Sequence, residues 1–432
     1  MNKFIFILIT IITLNNCSLN ENSRIWENEN KKLKNKKNLI KVFDNEKNII
    51  SEFNKDLKID FSSLESNNII NLNQNNFGSQ SYQGELNKIG NYKFSKLNQV
   101  EQLNFKPIFL NDGIIFFDKK GSIIKYHISN KVLWKKNYYT KSEKKLNPKL
   151  SFIIDGKNII VADNISKVYS LNINTGILNW SKNNNYPFNS EIKKYKDKIF
   201  LIDDKNTLRC YKIFDGSECW SLPTGDSLMI SSSKYSLIII GENVIFNNSI
   251  GDVTAVDINS GLIIWQLPTQ SSSIINETYN FKFSKLVSDK NSIFFSNNKN
   301  EFYSINAETG VTNWINKINS NIAPIILGNI ILSISDQGYL YVIEKKSGNI
   351  IRLTDIYDHY NLQKRKKIRP VGFVVGNKNI YITNTDGRMM IADLNKGKVT
   401  KIVKISNNMI SEPFIFNKNL FVIRNGSIIG YN

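Results

Sequence analysis

Three cysteines and two histidines are the softest potential ligands and nucleophiles in this chain of 432 residues. Their spacing supports little chemistry. His127 and His359 stand far from each other and from Cys210 and Cys219, whereas zinc sites pair their ligands a few residues apart. Both histidines read as surface or strand residues. No Gly-rich phosphate loop and no nucleophile elbow appears. The many Asp residues stand at turn positions, where a carboxylate caps the backbone. These absences favour a binding protein over an enzyme, with no cofactor and no metal expected. Cys210 and Cys219 form the one local pair. If the hairpin between them turns about Phe214 and Asp215, the two face each other across adjacent strands. Opposed Cβ atoms lie roughly 4.5–5.5 Å apart, a little more than the ~3.5–4.5 Å that a disulfide spans. An oxidising compartment would permit the bond, and two buried free thiols are the alternative.

The third cysteine, Cys17, follows a different kind of signal. Met1-Asn2-Lys3 is a short basic start, and Phe4 to Leu14 is apolar apart from threonines. That run is too short to span a bilayer and suits the core of a signal peptide, so residues 1–16 are expected to be removed. Cys17 directly after it, with Leu14 three positions before, resembles a lipobox, in which the cysteine becomes the lipidated N-terminus. Asn16 departs from that pattern, where a small residue is usual. Ser18 rather than Asp after the cysteine resembles an outer-membrane address. The alternative is an ordinary secretory peptide in which Cys17 is incidental. Either way the chain is exported, which disfavours nucleic acid as a partner despite a formal net charge of +20. Lysine is spread along the chain, and only Lys364 to Lys367 with Arg369 forms a compact basic run. A solvated loop or a contact for an acidic partner or lipid headgroups would each explain it.

The elements around these residues are legible from a repeated phrase. Trp134, Trp180, Trp220, Trp265 and Trp314 each end a short run that begins, in four cases, with Gly. Their intervals are 46, 40, 45 and 49 residues. That period is one four-stranded unit, and its repetition predicts a β-propeller. Each indole is expected to fill the gap between adjacent blades, with its N–H free to find a partner. The middle strand of each unit alternates, as if one face of the blade packed on its neighbour. After Trp314 the phrase decays while the period persists, with Arg352 and Lys401 in the Trp position. An eighth unit at the C-terminus lacks its last strand, which the alternating Asn91 to Leu97 stretch can supply. The predicted fold is thus all-β, with eight four-stranded antiparallel blades and the last closed by an N-terminal strand. Residues 17–80 read as an Asn/Lys-rich tether followed by weak apolar clusters, and 81–432 as the propeller.

The phrase Asp/Asn-x-x-Thr/Ser-Gly-x-x-x-Trp, seen from Asn172, Asp257 and Asn306, resembles the quinoprotein (PQQ-like) repeat. With the cysteine motif and the ending Ser411-Glu412-Pro413-Phe414, the chain resembles the BamB family of outer-membrane assembly lipoproteins. The resemblance implies a non-catalytic scaffold on the periplasmic face of the outer membrane, anchored there by lipid. Implied partners are the periplasmic domains of a barrel-inserting subunit and nascent outer-membrane proteins. It places the partner-binding loop at Leu228, Met229 and Ile230, which otherwise read as the first strand of a blade. Alternatives are a propeller that binds glycans or another periplasmic protein, and a PQQ-dependent dehydrogenase. The dehydrogenases carry two adjacent cysteines, whereas Cys210 and Cys219 are nine apart.

Overall fold

The computed structural model describes residues 52–58, 75–76, 78, 81–95, 105–225, 234–269 and 282–432. Among them, eight four-stranded antiparallel sheets form the blades of a propeller. In chain order blades 1 to 7 span 108–136, 150–183, 193–223, 237–268, 287–316, 325–355 and 370–404. Blade 8 takes three strands from 414–431 and its fourth from Lys88–Lys93. That closing strand pairs Tyr92 with Ile428 and Lys93 with Ser427. It starts earlier than the sequence suggested, while Lys96 and Leu97 lie outside the described residues. Pairing the two ends of the chain in one sheet leaves no open seam in the ring.

The second and third strands of each blade are rich in Ile, Val and Phe and are buried along most of their length. In blade 4, Val253 to Val256 are all buried. The sequence suggested one packed face per blade. In fact both faces pack, because every blade is sandwiched between two others. The hydrophobic clusters accordingly straddle blade boundaries: Ile160 and Val168 of blade 2 pack with Ile199 and Leu201 of blade 3, and the pattern repeats around the ring.

The repeated phrase has a physical reason at each position. Its first residue caps the turn: the Oδ1 of Asn172 accepts from the Asn174 and Thr175 N–H groups, and that of Asp257 from Asn259 and Ser260. The glycine then adopts φ of +68° to +78° at Gly176, Gly216, Gly261, Gly310 and Gly348, a region that costs other residues. Each glycine also lies against the Trp ring of the preceding blade. A Cβ added at any of the five would come within 2.6–2.9 Å of that ring. The Trp Nε1 of one blade donates to a carbonyl of the next: Trp134 to Ile173, Trp180 to Ile213, Trp220 to Ile258, Trp265 to Ala307 and Trp314 to Lys345, at 2.9–3.3 Å.

A β-bulge sets the aim of the ring. In blades 1 to 7 the residue before the Trp position has no partner, so Trp180 pairs with Ser170 but Leu178 with Leu171. Such an extra residue turns the strand locally. The bulge also corrects the cysteine geometry. Cys210 pairs with Trp220, Tyr211 with Glu218, and Cys219 is the bulged residue, so the two cysteines are not directly opposed. Both are free thiols in this structure, and burial pushes the Cys210 thiol up, with Cys219 adding to the shift.

Where the phrase decays, other side chains take the place of indole. Arg352 is fully buried and donates to the Leu394 and Asn395 carbonyls of blade 7, while Gly397 lies against its guanidinium. Tyr92 of the closing strand donates to the Ile128 carbonyl of blade 1, where Asn130 holds the positive φ in place of Gly. Lys401 is exposed and fills nothing; the seam between blades 7 and 8 is packed by Tyr82 against Tyr381.

Part of the segment before residue 81 belongs to the propeller unit, which runs Glu52–Asn432. Phe53 pairs with Leu353 at the outer edge of blade 6, and Leu57 offers its carbonyl to Arg352. Further on, the Asn75 side chain bonds the backbone of Ile239, Asn76 that of Ile326, and the Gly78 carbonyl accepts from Val375.

The seam contact predicts a contrast between two glycines. Gly261→Ala meets both the strained φ and the Trp220 ring 2.7 Å away, whereas Gly241→Ala meets only its φ of +59° with nothing within 4 Å. Chemical denaturation should show a loss of about 2–4 kcal/mol for the first and about 1–2 kcal/mol for the second. Equal losses would mean that the ring contact carries no energy.

Candidate functional site

The first strand of each blade is the innermost of its sheet, two to six residues long, and these strands surround the axis of the ring. The residues just before them are brought together there from distant parts of the chain. Lys106 enters blade 1, Glu191 blade 3, Lys234 blade 4, Lys285 blade 5 and Glu412 blade 8. Lys285 Nζ lies 2.8 Å from Glu412 and 3.5 Å from Glu191, and Lys106 Nζ lies 3.7 Å from Glu191. Contacts between non-adjacent blades at such range can occur only at the axis. Lys234 donates to Ser151 of blade 2 at 2.6 Å, and its ammonium sits 3.6 Å from the centre of the Phe105 ring.

A local device holds three of these residues in place. Ser190, Ser284 and Ser411 each precede a member of the cluster. Each hydroxyl donates to the carbonyl of the following residue and accepts an N–H from the next strand, that of Ile202, Ser296 or Ile423. The pairs Ser190-Glu191, Ser284-Lys285 and Ser411-Glu412 therefore repeat a single structural unit. The sequence carries this signal in Ser411-Glu412-Pro413-Phe414, while the other two copies lack the proline and have no such mark.

The electrostatics follow from burial and mutual attraction. Burial alone would raise the carboxyl of Glu191, but Lys106, Lys285, Lys193 and Lys234 outweigh it and hold it well below the usual range. Glu412 is likewise lowered, Lys285 overcoming its burial. Lys285 is raised because the two carboxylates exceed its own desolvation cost. Lys193 and Lys234 are pushed down to about 7 by burial, which attraction from Glu191 does not offset. The cluster is thus a network of mutually attracting lysines and glutamates at the axis. Among the described residues no group of three His, Cys, Asp or Glu side chains is arranged to hold a metal.

The other residues singled out by the sequence fall elsewhere. Trp134, Trp180, Trp220, Trp265 and Trp314 lie at the seams, not the axis. His127 bonds Ser129, and the His359 ring packs at a tilt against Tyr360. The basic run is partly tied down: Arg365 pairs with Asp355 at 2.8 Å, and Lys364 lies over Tyr360, at the short helix Leu362–Arg365. Cys17 and the Leu228, Met229 and Ile230 stretch lie outside the described residues.

The repeat, the bulge and the seams define a propeller of the PQQ-like repeat class. Residues 119–354, more than half of the chain, match the model of the family described as outer membrane protein assembly factor BamB. The chain therefore belongs to the BamB family. Among solved structures it is similar to BamB from Moraxella catarrhalis, with a TM-score of 0.65 at 14% identity, over 80% of this chain and 99% of that one. It is also similar to the computationally designed Ika8 protein, with a TM-score of 0.60 at 12% identity, over 81% and 99% of the two chains. A europium-containing methanol dehydrogenase gives 0.60 at 9% identity, over 78% and 84%. At these identities the likenesses concern the fold. No curated protein sequence matches the chain.

The lysines predict a pH dependence. The folded values of Lys193 and Lys234, about 7, lie below the ordinary 10.5 of an exposed lysine. Between the two the unfolded chain binds more protons, so stability rises with pH. The rise should run from about pH 7 to about 10, above which buried tyrosines such as Tyr169, raised by burial, act in the opposite sense. Lys234→Met should reduce the slope in thermal melts across that window. An unchanged slope would show that Lys234 stays protonated.

Proposed function

We propose that this protein is a non-catalytic scaffold of the outer-membrane β-barrel assembly complex. In this reading it binds the periplasmic domains of the barrel-inserting subunit and assists the insertion of nascent outer-membrane proteins. It acts from the periplasmic face of the outer membrane, anchored through lipid on Cys17. The family match over residues 119–354 carries the reading. The surface offers material for a partner: Ile177, Phe214, Leu262, Ile263 and Val311 are exposed beside the outer-strand turns of blades 2 to 5, with Phe214 91% exposed. Leu228, Met229 and Ile230 are proposed as the principal contact.

Affinity purification from cross-linked envelopes should recover the barrel-inserting subunit with the wild-type chain. Leu228→Asp combined with Ile230→Asp should reduce that recovery by about tenfold or more while the melting temperature holds, since charges placed in an apolar contact cost several kcal/mol. Cys17→Ala should shift the protein from the membrane to the soluble fraction. Recovery of other envelope proteins without the barrel-inserting subunit would overturn the scaffold role.

A further inference from the structure

Asn75, Asn76 and Gly78 lie on the inner edges of four blades, in contacts that repeat from blade to blade. Asn75 Nδ2 donates to the Ile239 carbonyl at 2.7 Å, and its Oδ1 accepts the Ile239 N–H at 3.3 Å. Asn76 makes the same two bonds to Ile326, at 2.9 and 3.3 Å. The Asn75 carbonyl accepts the Ser288 N–H at 3.1 Å, and the Gly78 carbonyl accepts the Val375 N–H at 2.6 Å. Ile239, Ser288, Ile326 and Val375 belong to the first strands of blades 4, 5, 6 and 7. They are equivalent in register, since each pairs with the residue five positions later: Val244, Ile293, Ile331 and Ile380. Antiparallel pairing turns the backbone groups of alternate residues out of the hairpin. At these four positions the outward groups meet another part of the chain instead of solvent.

A primary amide carries the same donor and acceptor as a peptide group. The two asparagines therefore engage the blade edges as an added strand would. Phe109 of blade 1 and Ile154 of blade 2 stand at the same register position, and among the described residues Asn75, Asn76 and Gly78 make no hydrogen bond to them. A blade thus forms without this contact. Blades 4 to 7 differ in that their inner edges hold a polypeptide. Beside Gly78 lies a void of about 50 Å³ whose walls are mainly apolar, with Val287, Ile325, Phe373, Phe414 and Ile415 among them. An apolar hollow flanked by a few directed polar groups is the usual make-up of a binding site.

We propose that the inner edges of blades 4 to 7 form a binding site for an extended polypeptide with adjacent asparagines, and that Asn75, Asn76 and Gly78 occupy it as a displaceable internal ligand. Recognition is through backbone edges and primary amides, so the partner is an extended segment and not a folded surface. Because the occupant belongs to the same chain, its high effective concentration keeps weak competitors out until the segment lifts. The inference does not rest on the scaffold role, and its test uses this chain without the assembly complex.

Two measurements on the full chain test it. In native-state hydrogen exchange of the wild type, the amides of Ile239, Ser288, Ile326 and Val375 should exchange together. Their rate should exceed that of the amides bonded within the same sheets by about a hundredfold or more, because lifting one segment frees all four. Exchange of these four only with global unfolding would make the segment a fixed staple and overturn the proposal. Second, a fluorescent peptide with the sequence of residues 71–80 should bind the Asn75→Ala/Asn76→Ala chain saturably. Its affinity should be about tenfold or more above that for the wild type, whose own segment competes. The peptide carrying the same two alanines should bind that variant about tenfold more weakly, the share of the lost amide contacts. Equal binding of the two peptides, or no binding by a folded variant, would sink the idea. The exchange measurement decides the matter even where the variant fails to fold.

Discussion

Blade against blade, a flat side chain laid on a turn glycine is the contact on which this ring depends. It needs three things at once: a residue without a Cβ at positive φ, an aromatic plane from the preceding blade, and a carbonyl placed to accept the indole N–H. The bulge before each Trp supplies the last adjustment by turning the strand. A closed ring of eight blades has little slack, because an error in the angle at one seam must be absorbed by the others. Repeating one rigid contact at successive seams is a direct solution. Gly176 on Trp134 and Gly348 on Trp314 mark the ends of the stretch where it is used unchanged.

The three seams outside that stretch rely on the N-terminal chain. Phe53 and Leu57 dock where Arg352 replaces Trp, Tyr82 fills the seam that Lys401 leaves unfilled, and Lys88–Lys93 completes blade 8. Asn75, Asn76 and Gly78 meanwhile satisfy backbone groups of the first strands in blades 4 to 7. The decay of the repeat and the docking of this segment are two sides of one arrangement. Where the ring cannot hold itself by the standard contact, sequence-distant residues hold it.

The axis obeys a different logic. The seams exclude water with indoles and aliphatic side chains. The axis gathers lysines and glutamates whose attraction must compete with desolvation. The result is a wide spread of protonation behaviour within a few ångströms, from a strengthened Lys285 to the weakened Lys193 and Lys234. Buried charge of this kind adds little net stability compared with apolar packing. The axis is thus held by mutual attraction of charges, whereas the seams are held by apolar packing.

The sequence by itself determined the number of blades, the closure of the ring by an N-terminal strand (though not its bounds) and the packing role of the five tryptophans. All three follow from local periodicity: a strand alternates, a turn needs Gly or Asn, and a repeat must pack on its own copy. The bulge was not legible, since an unpaired residue leaves no mark in a hairpin phrase, and the expected facing of Cys210 and Cys219 failed for that reason. Only the tertiary structure decided the axial cluster. Lys106 and Glu412 are separated by most of the chain, and no spacing rule connects them. They meet because eight first strands converge on one line, a consequence of ring closure that belongs to the whole chain and to no segment of it.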